Sequence, residues 1–324
     1  MKKLKILIIG SNFGMTHLKA ANKSGNFKLI VICSPNILKK ILPKKIKSYQ
    51  NYLDAIKKNK FDMISIASLP SIQHEVINTL YKKKKLPKYI FLEKPILEKT
   101  LKILNKVSDK KLVLTNFIFS FNKIWLFFFK DNLFDKNFLF FRYTWYFKQA
   151  YFKNFQPTWK ILPTEGGGLI NYYLPHAIFN LFYLNEKIIF KRILEFKKHD
   201  NQLIYLKLLF QLNNKECEVI ISNKSKKNLH KLKLYFKNGN KEIINATKDW
   251  LSNFNVNINN KKIALYKKKE NKYKDSRMNT LVDIYSNLSI FFNARYVKKN
   301  KLLVFKTFKT IKKINKLITH ETYI

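Results

Sequence analysis

Glycine is scarce in this chain, with seven in 324 residues, and five of the seven fall in two places. Gly10 and Gly14 flank the turn after the first apolar run, K-I-L-I-I-G-S-N-F-G, and Gly166, Gly167 and Gly168 open G-G-G-L-I-N-Y-Y-L-P-H, which ends at His176. A position that keeps glycine in such a chain marks a backbone that needs no Cβ. Cysteine is scarcer still. Cys33 and Cys217 are too few for a disulfide framework or a cysteine-based zinc site, so no metal is expected and a reducing cytoplasm is the expected setting. No apolar run approaches the ~18–20 residues of a spanning helix, which excludes a membrane partner held by one. The N-terminus, M-K-K-L-K-I-L-I-I-G, has the basic start of a leader but runs into a glycine turn instead of a small-residue cleavage site. It reads as a first strand.

Acidic residues are few, 20 against 64 basic ones, and the formal charge is +44. Such a charge invites a nucleic-acid reading, but only four of the basic residues are arginine: Arg142, Arg192, Arg277 and Arg295. Base-edge readout leans on the bidentate guanidinium, which a lysine cannot imitate. The lysines are spread along the chain beside abundant Asn, Ile, Phe and Tyr, and the runs Lys82–Lys85 and Lys267–Lys269 read as solvated loops or helix ends. No specific nucleic-acid partner is expected, although incidental polyanion binding at low salt follows from charge alone.

What is present is a change of pattern along the chain. Up to residue 118 short apolar runs (Leu4–Ile9, Lys28–Cys33, Met63–Ala67, Tyr89–Leu92, Leu112–Asn116) alternate with helical patterns (His17–Lys23, Tyr52–Lys58, Ile72–Lys83, Thr100–Ser108). That alternation specifies a parallel, doubly wound α/β sheet. From about residue 137 strands follow in succession: Phe138–Phe147, Ile188–Lys197, Leu203–Leu212, Glu216–Ser222, His230–Phe236 and Lys241–Asn245. They are joined at Asp200-Asn201, Asn213-Asn214 and Asn238-Gly239, as in an open antiparallel meander with helices on one face. A helix over Gly168–Leu184 precedes most of them, and helices over about Met278–Phe292 and Leu302–Leu317 close the chain. Two domains are expected, 1–118 and 119–324.

The turn Gly10-Ser11-Asn12-Phe13-Gly14 delivers a strand into a helix, where free N–H groups and the positive dipole end suit a phosphate. It is one residue shorter than the dinucleotide fingerprint and has Asn12 where the second glycine would stand; Asn is the next-best residue for a left-handed turn. An NAD-specific site places an acid at the end of the second strand. This chain has Ser34 there, followed by Lys39, Lys40, Lys44 and Lys45, so NADP is favoured over NAD.

The order G-S-N-F-G, then I-A-S-L-P-S-I-Q-H around His74, then E-K-P, then the glycine triplet and His176 resembles the glucose-fructose oxidoreductase, inositol dehydrogenase and rhizopine-catabolism family, Gfo/Idh/MocA. The resemblance covers nearly the whole chain, including D-S-R at Asp275–Arg277. It implies a Rossmann domain followed by an α/β domain on an open antiparallel sheet, and hydride transfer between NAD(P) and a sugar, nucleotide-sugar or cyclitol hydroxyl carbon. Cofactor contacts carried over are Gly10, Ser11, Asn12, Phe13, Gly14, Ser34, Ser68, Leu69, His74, Glu93 and Lys94. Lys94 would steady the developing alkoxide and His176 would be the general acid/base, facing it across a cleft; Pro95 commonly follows a cis bond in the family. Many relatives carry Asp four residues before this histidine. Here Tyr172 takes that place, a further candidate for the proton relay, beside Asn171. Asn116, Trp159, Lys160, Asn171 and His176 are expected on the substrate side, with Trp159 stacking on a sugar ring. Relatives pack the open sheets face to face, so a homodimer or homotetramer is expected. The alternative is a catalytically degenerate relative that binds nucleotide or sugar without turnover.

Overall fold

The computed structural model describes residues 3–37, 42–43, 46–121, 123–133, 135–148, 152–153, 156–157, 159–162, 166–200, 202–247, 251, 254–266 and 276–320. Lys39, Lys40, Lys44, Lys45, Asn201, Lys267–Lys269 and Asp275 lie outside the described residues. The chain begins with β1 (Leu4–Ile9), α1 (Asn12–Ser24), β2 (Phe27–Cys33), β3 (Lys47–Tyr49), α2 (Tyr52–Lys58), β4 (Met63–Ile66) and α3 (Pro70–Lys82). Then come β5 (Tyr89–Glu93), α4 (Glu98–Lys106), β6 (Leu112–Asn116), α5 (Lys123–Leu133) and β7 (Phe138–Lys148). The short β8 (Phe152–Lys153) and β9 (Gln156–Pro157) precede a π-helical turn at Leu169–Tyr173 and α6 (Leu174–Leu184). Strands β10 (Ile189–His199), β11 (Gln202–Leu212), β12 (Lys215–Ser222), β13 (Lys224–Phe236) and β14 (Gly239–Asn245) follow. The chain closes with β15 (Phe254–Ile258), β16 (Lys261–Tyr266), α7 (Ser276–Ser286), α8 (Leu288–Phe291) and α9 (Ala294–His320).

Two compact units share these elements: Met1–Asn116 with Tyr273–Phe305, and Phe117–Lys272 with Lys306–Ile324. The single boundary expected at 118/119 therefore does not describe them, because the chain returns to the first unit after the second sheet. The cause is packing. Met278, Leu281, Ile284 and Tyr285 of α7 are buried, and the Asn26 amide after α1 donates to the carbonyls of Tyr285 (2.8 Å) and Ser286 (2.9 Å).

In the first unit the order β3-β2-β1-β4-β5-β6, parallel throughout, is the doubly wound Rossmann sheet. Both faces are covered by helices, so the central strands read as uninterrupted apolar runs, and Ile6, Leu7 and Ile8 are all but inaccessible. Strand β3 was not expected: three residues, K-S-Y, give no hydrophobic pattern and earn their place only by pairing with β2. The far edge, β6, is closed by a side chain. Asn300 accepts from the Thr115 N–H (3.0 Å) and donates to the Thr115 carbonyl (3.2 Å), standing in for a further strand.

The second unit holds an eight-stranded sheet in the order β10-β11-β12-β7-β13-β14-β15-β16. It is not the simple meander expected. Strand β7 inserts between β12 and β13, parallel to the first and antiparallel to the second. Its sequence explains the central position: Phe141, Tyr143, Trp145 and Phe147 alternate along one face and are at most 1% exposed, so β7 needs cover that an edge strand lacks. Helices α5 and α6 supply it, with Trp125 against Tyr143, Phe129 against Phe141 and His176 against Trp145. Nearly every residue of α6 is buried. The expected helix over Gly168–Leu184 is thus a π turn followed by α6.

The opposite face carries Phe140, Arg142, Tyr146, Tyr205, Lys207, Glu218 and Tyr235. Phe140 stacks on Tyr235 across the β7–β13 pairing (4.2 Å, 9°), and Glu218 lies between Arg142 (2.5 Å) and Lys207 (2.8 Å). The hairpin β15–β16 turns at Asn259-Asn260, both with positive φ, as does β11–β12 at Asn213-Asn214. No described helix is long and apolar enough to cross a membrane.

Burial pushes the Glu218 carboxyl up, but the hydrogen bonds and charges of Lys207 and Arg142 outweigh it and hold the group below the ordinary carboxylate range. A lowered folded value means stability that is present above the unfolded pKa and lost as pH falls through the folded one. Replacing Glu218 by Gln is expected to cost about 1–2 kcal/mol at pH 7 and to flatten the acid limb of the stability curve, measured by urea unfolding between pH 7 and pH 3. An unaltered acid limb contradicts this.

Candidate functional site

At the end of β1 the chain has no room for a methyl group. Gly10 sits at φ 141°, and a Cβ there would lie 2.2 Å from the Ala67 carbonyl oxygen. Its N–H donates to Cys33 O (3.0 Å) while Ala67 N–H donates to Ile9 O (2.7 Å), so the turn threads between the ends of β2 and β4. This is the switch point of the sheet, where ligands bind in folds of this order. The α1 helix starts at once with Asn12. Ser11 makes no side-chain capping bond, and the first turn carries no acidic residue, which leaves that helix end suited to an anion. Asn12 is not left-handed, contrary to the sequence expectation. The shortened loop passes directly into right-handed helix, so no reversal is required there. Gly14 differs from Gly10: a Cβ would meet Ile8 Cγ2 at 3.9 Å and Ile9 C at 4.0 Å, both ordinary contacts.

Around this turn, Ser34 is buried after β2, its N–H donating to Tyr49 O (3.2 Å). Ser68 and the exposed Leu69 lie between β4 and α3. The imidazole of His74 bonds Thr100 of α4 (3.2 Å); burial, then the Lys99 charge, lowers its pKa. Phe13 lies under the Arg277 guanidinium (5.0 Å) and meets the ring of His17 edge-on (5.1 Å).

E-K-P ends β5, with a cis bond between Lys94 and Pro95. Glu93 is held from three directions. One carboxylate oxygen accepts from Asn116 Nδ2 (2.5 Å) and from His17 Nε2 (2.9 Å), and the backbone carbonyl accepts from Gln73 Nε2 (2.6 Å). Asn116, expected on the substrate side, thus commits its amide N–H to Glu93. His17 and Gln73 were not singled out from the sequence: each is an unremarkable helix position, and nothing local signals a partner 76 or 20 residues away.

In the second unit the glycine triplet packs backbone against backbone. A Cβ on Gly167 would fall 2.3 Å from Trp159 O and 2.6 Å from Lys160 C, and Gly167 N–H donates to Leu162 O (2.8 Å). Gly166 and Gly168 have φ of 82° and 80°. The close approach brings the expected substrate-side residues together: Trp159 meets Tyr172 edge-on (5.2 Å), and Lys160 Nζ lies 5.6 Å from the Tyr172 ring centre. Asn171 and Tyr172 lie on the π-helical turn, a local form common at functional positions. His176 follows in the first turn of α6, 7% exposed, its ring edge-on to Phe117 (6.0 Å) and Trp145 (6.1 Å). Of Gln156–Lys160, Thr158 lies outside the described residues. Among the described residues no His, Cys, Asp and Glu cluster could hold a metal ion.

Residues 4–117 match the family model GFO_IDH_MocA, described as an oxidoreductase family with an NAD-binding Rossmann fold. Among solved structures, the chain is similar to the dehydrogenase MviM from Clostridium difficile, at 15% identity, TM-score 0.71, over 97% of this chain and 99% of that one. It is also similar to a levoglucosan dehydrogenase in complex with NADH and levoglucosan (11%, 0.70, 97% and 98%). A third is the transcriptional regulator Gal80p from Kluyveromyces lactis (12%, 0.70, 96% and 93%). At these identities the likeness establishes the fold. No curated protein sequence matches the chain.

The two turn glycines are expected to respond in opposite directions. Gly10→Ala meets both the Ala67 carbonyl and an unfavourable φ, and is expected to cost more than about 2 kcal/mol. Gly14→Ala has room and is expected to add about 0.5–1 kcal/mol by raising helix propensity. Urea unfolding of both variants checks this; a loss at Gly14 matching that at Gly10 would contradict the steric account.

Proposed function

We propose, for a chain whose residues 4–117 belong to the Gfo/Idh/MocA oxidoreductase family and whose two sheets have that family's fold, that it is a nicotinamide-dependent oxidoreductase acting on a hydroxyl carbon of a sugar, nucleotide-sugar or cyclitol. The observation that carries the reading is a Gly10 turn at the switch point and an E-K-P strand end in one Rossmann unit. The acid-free first turn of α1 fits a pyrophosphate. When bound, the nicotinamide group supplies or accepts the hydride. The uncharged Ser34 after β2 leaves room for a 2′-phosphate, which favours NADP.

In this reading Lys94 steadies the charge that develops on the substrate oxygen, and His176 exchanges the hydroxyl proton. Tyr172 is a further candidate for the proton relay, Trp159 stacks on a sugar ring, and Lys160 and Asn171 bind its hydroxyls. Cys33 and Cys217 are free and buried, with thiols pushed up to about 12 by burial; their inertness suits a reducing cytoplasm. The second reading, a binding protein without turnover, is favoured by Tyr172 in the place of the usual Asp. That a relative in fold is described as a transcriptional regulator keeps it in view.

Fluorescence titration of NADPH, followed by turnover on a panel of sugars, cyclitols and nucleotide-sugars, separates the two. The expected result is binding with turnover, lowered about 10²–10⁴-fold in Lys94→Ala and in His176→Gln. Binding with no turnover on any substrate would favour the second reading.

The outward face of the large sheet, with Phe140, Tyr146, Tyr205 and Tyr235 around the Glu218 ion pairs, is a self-association surface in this proposal. At physiological salt, charges beyond ~8 Å are largely screened, so the cationic excess does not forbid pairing. Sedimentation at micromolar concentration is expected to show a homodimer or homotetramer. A lone 38.8 kDa species would overturn it.

A further inference from the structure

We infer that His17 and Tyr285 are positioning residues of the cofactor site, acting through Glu93 on the backbone that carries Lys94; the inference rests on the nicotinamide reading above. The His17 ring is 1% exposed, and both nitrogens are committed. Nε2 lies 2.9 Å from Glu93 Oε1 and donates its N–H to that oxygen. Nδ1 faces the hydroxyls of Tyr285 (2.7 Å) and Ser65 (2.9 Å), and the Tyr285 hydroxyl donates to Ser65 Oγ at 2.9 Å. The ring plane is fixed by edge contacts with Phe13 and Tyr285.

Buried polar groups of this kind are costly unless their bonds are made, and plain packing at position 17 needs only an apolar side chain. What the polar chain adds is a link between two parts of the proposed site. His17 belongs to α1, whose first turn is the phosphate turn, and it touches Phe13 of that turn. Through Nε2 it also holds Glu93, the residue before Lys94. Tyr285, buried on α7 with its phenol pKa pushed up by burial, sets the imidazole orientation from behind. The turn and the E-K-P strand end are therefore held in mutual register by one side chain, which fixes the first turn of α1 relative to the backbone of Lys94 before any ligand arrives.

The test compares His17→Leu, which removes the donor to Glu93, with His17→Gln, which keeps an N–H able to reach it. Hydrogen exchange is read by mass spectrometry on the protein without nucleotide. His17→Leu is expected to raise exchange at least tenfold in the peptide over Phe91–Leu97, leaving the α9 peptides unchanged, and to weaken NADPH binding at least tenfold. His17→Gln is expected to stay within threefold on both readouts. Should His17→Leu not fold, Tyr285→Phe is expected to raise the same local exchange at least threefold. Exchange that rises uniformly across the first unit, or wild-type behaviour of all folded variants, would overturn the inference. Wild-type protein that binds no nicotinamide nucleotide while the local exchange pattern holds would defeat the cofactor reading and leave the positioning of Lys94 standing.

Discussion

Much of the first unit depends on a steric constraint at Gly10. The backbone of that residue passes so close to the Ala67 carbonyl that no side chain can exist there. Because it passes so close, β1 can end between β2 and β4, and α1 can begin at the next residue but one. The helix then starts beside the switch point between the two halves of the sheet. Neither charge nor hydrogen bonding creates, in the first instance, the turn to which the proposed function assigns an anion. They exploit a turn that packing has already made.

The second unit answers a different constraint, the placing of unusually many large aromatic side chains. Strand β7 carries them on both faces, so the sheet draws it to the centre, and α6, buried nearly all round, seals the inner face. Gly167 repeats the logic of Gly10 on this scale. By letting the backbone of Trp159 and Lys160 approach to contact, it brings two segments of sequence into one cluster around Tyr172. In both units the missing Cβ, rather than any flexibility, is what glycine contributes.

Legibility in the sequence followed the range of the interactions. Strands β1, β2, β4 and β5 announced themselves as apolar runs, and α2 matched residue for residue, since Asn51 caps it by accepting from Leu53 N–H. Elements specified by partners were missed. β3 exists only as a neighbour of β2, and α5, in K-I-W-L-F-F-F-K, is so aromatic that period alone does not separate helix from strand. The hairpin β15–β16 carried a readable signal in Asn259-Asn260 that went unused beside the similar turn at Asn213-Asn214. For the site, the glycine turn, E-K-P and His176 were visible as motifs. The bonds around Glu93 were not, because His17, Gln73 and Tyr285 come from three helices with no shared pattern.

The bond between His17 and Tyr285 spans 268 residues of chain, and α9 then runs from the first unit into the second. Neither unit is therefore a continuous stretch of polypeptide. Closing so long a loop costs entropy that grows with the logarithm of its length, and contacts of this range slow folding. During synthesis, the Gly10 turn precedes Tyr285 by the whole of the second sheet. A nascent chain must hold β1 and α1 in waiting, and a polypeptide cut short near residue 280 would carry the Gly10 turn without Tyr285 and its bond to His17.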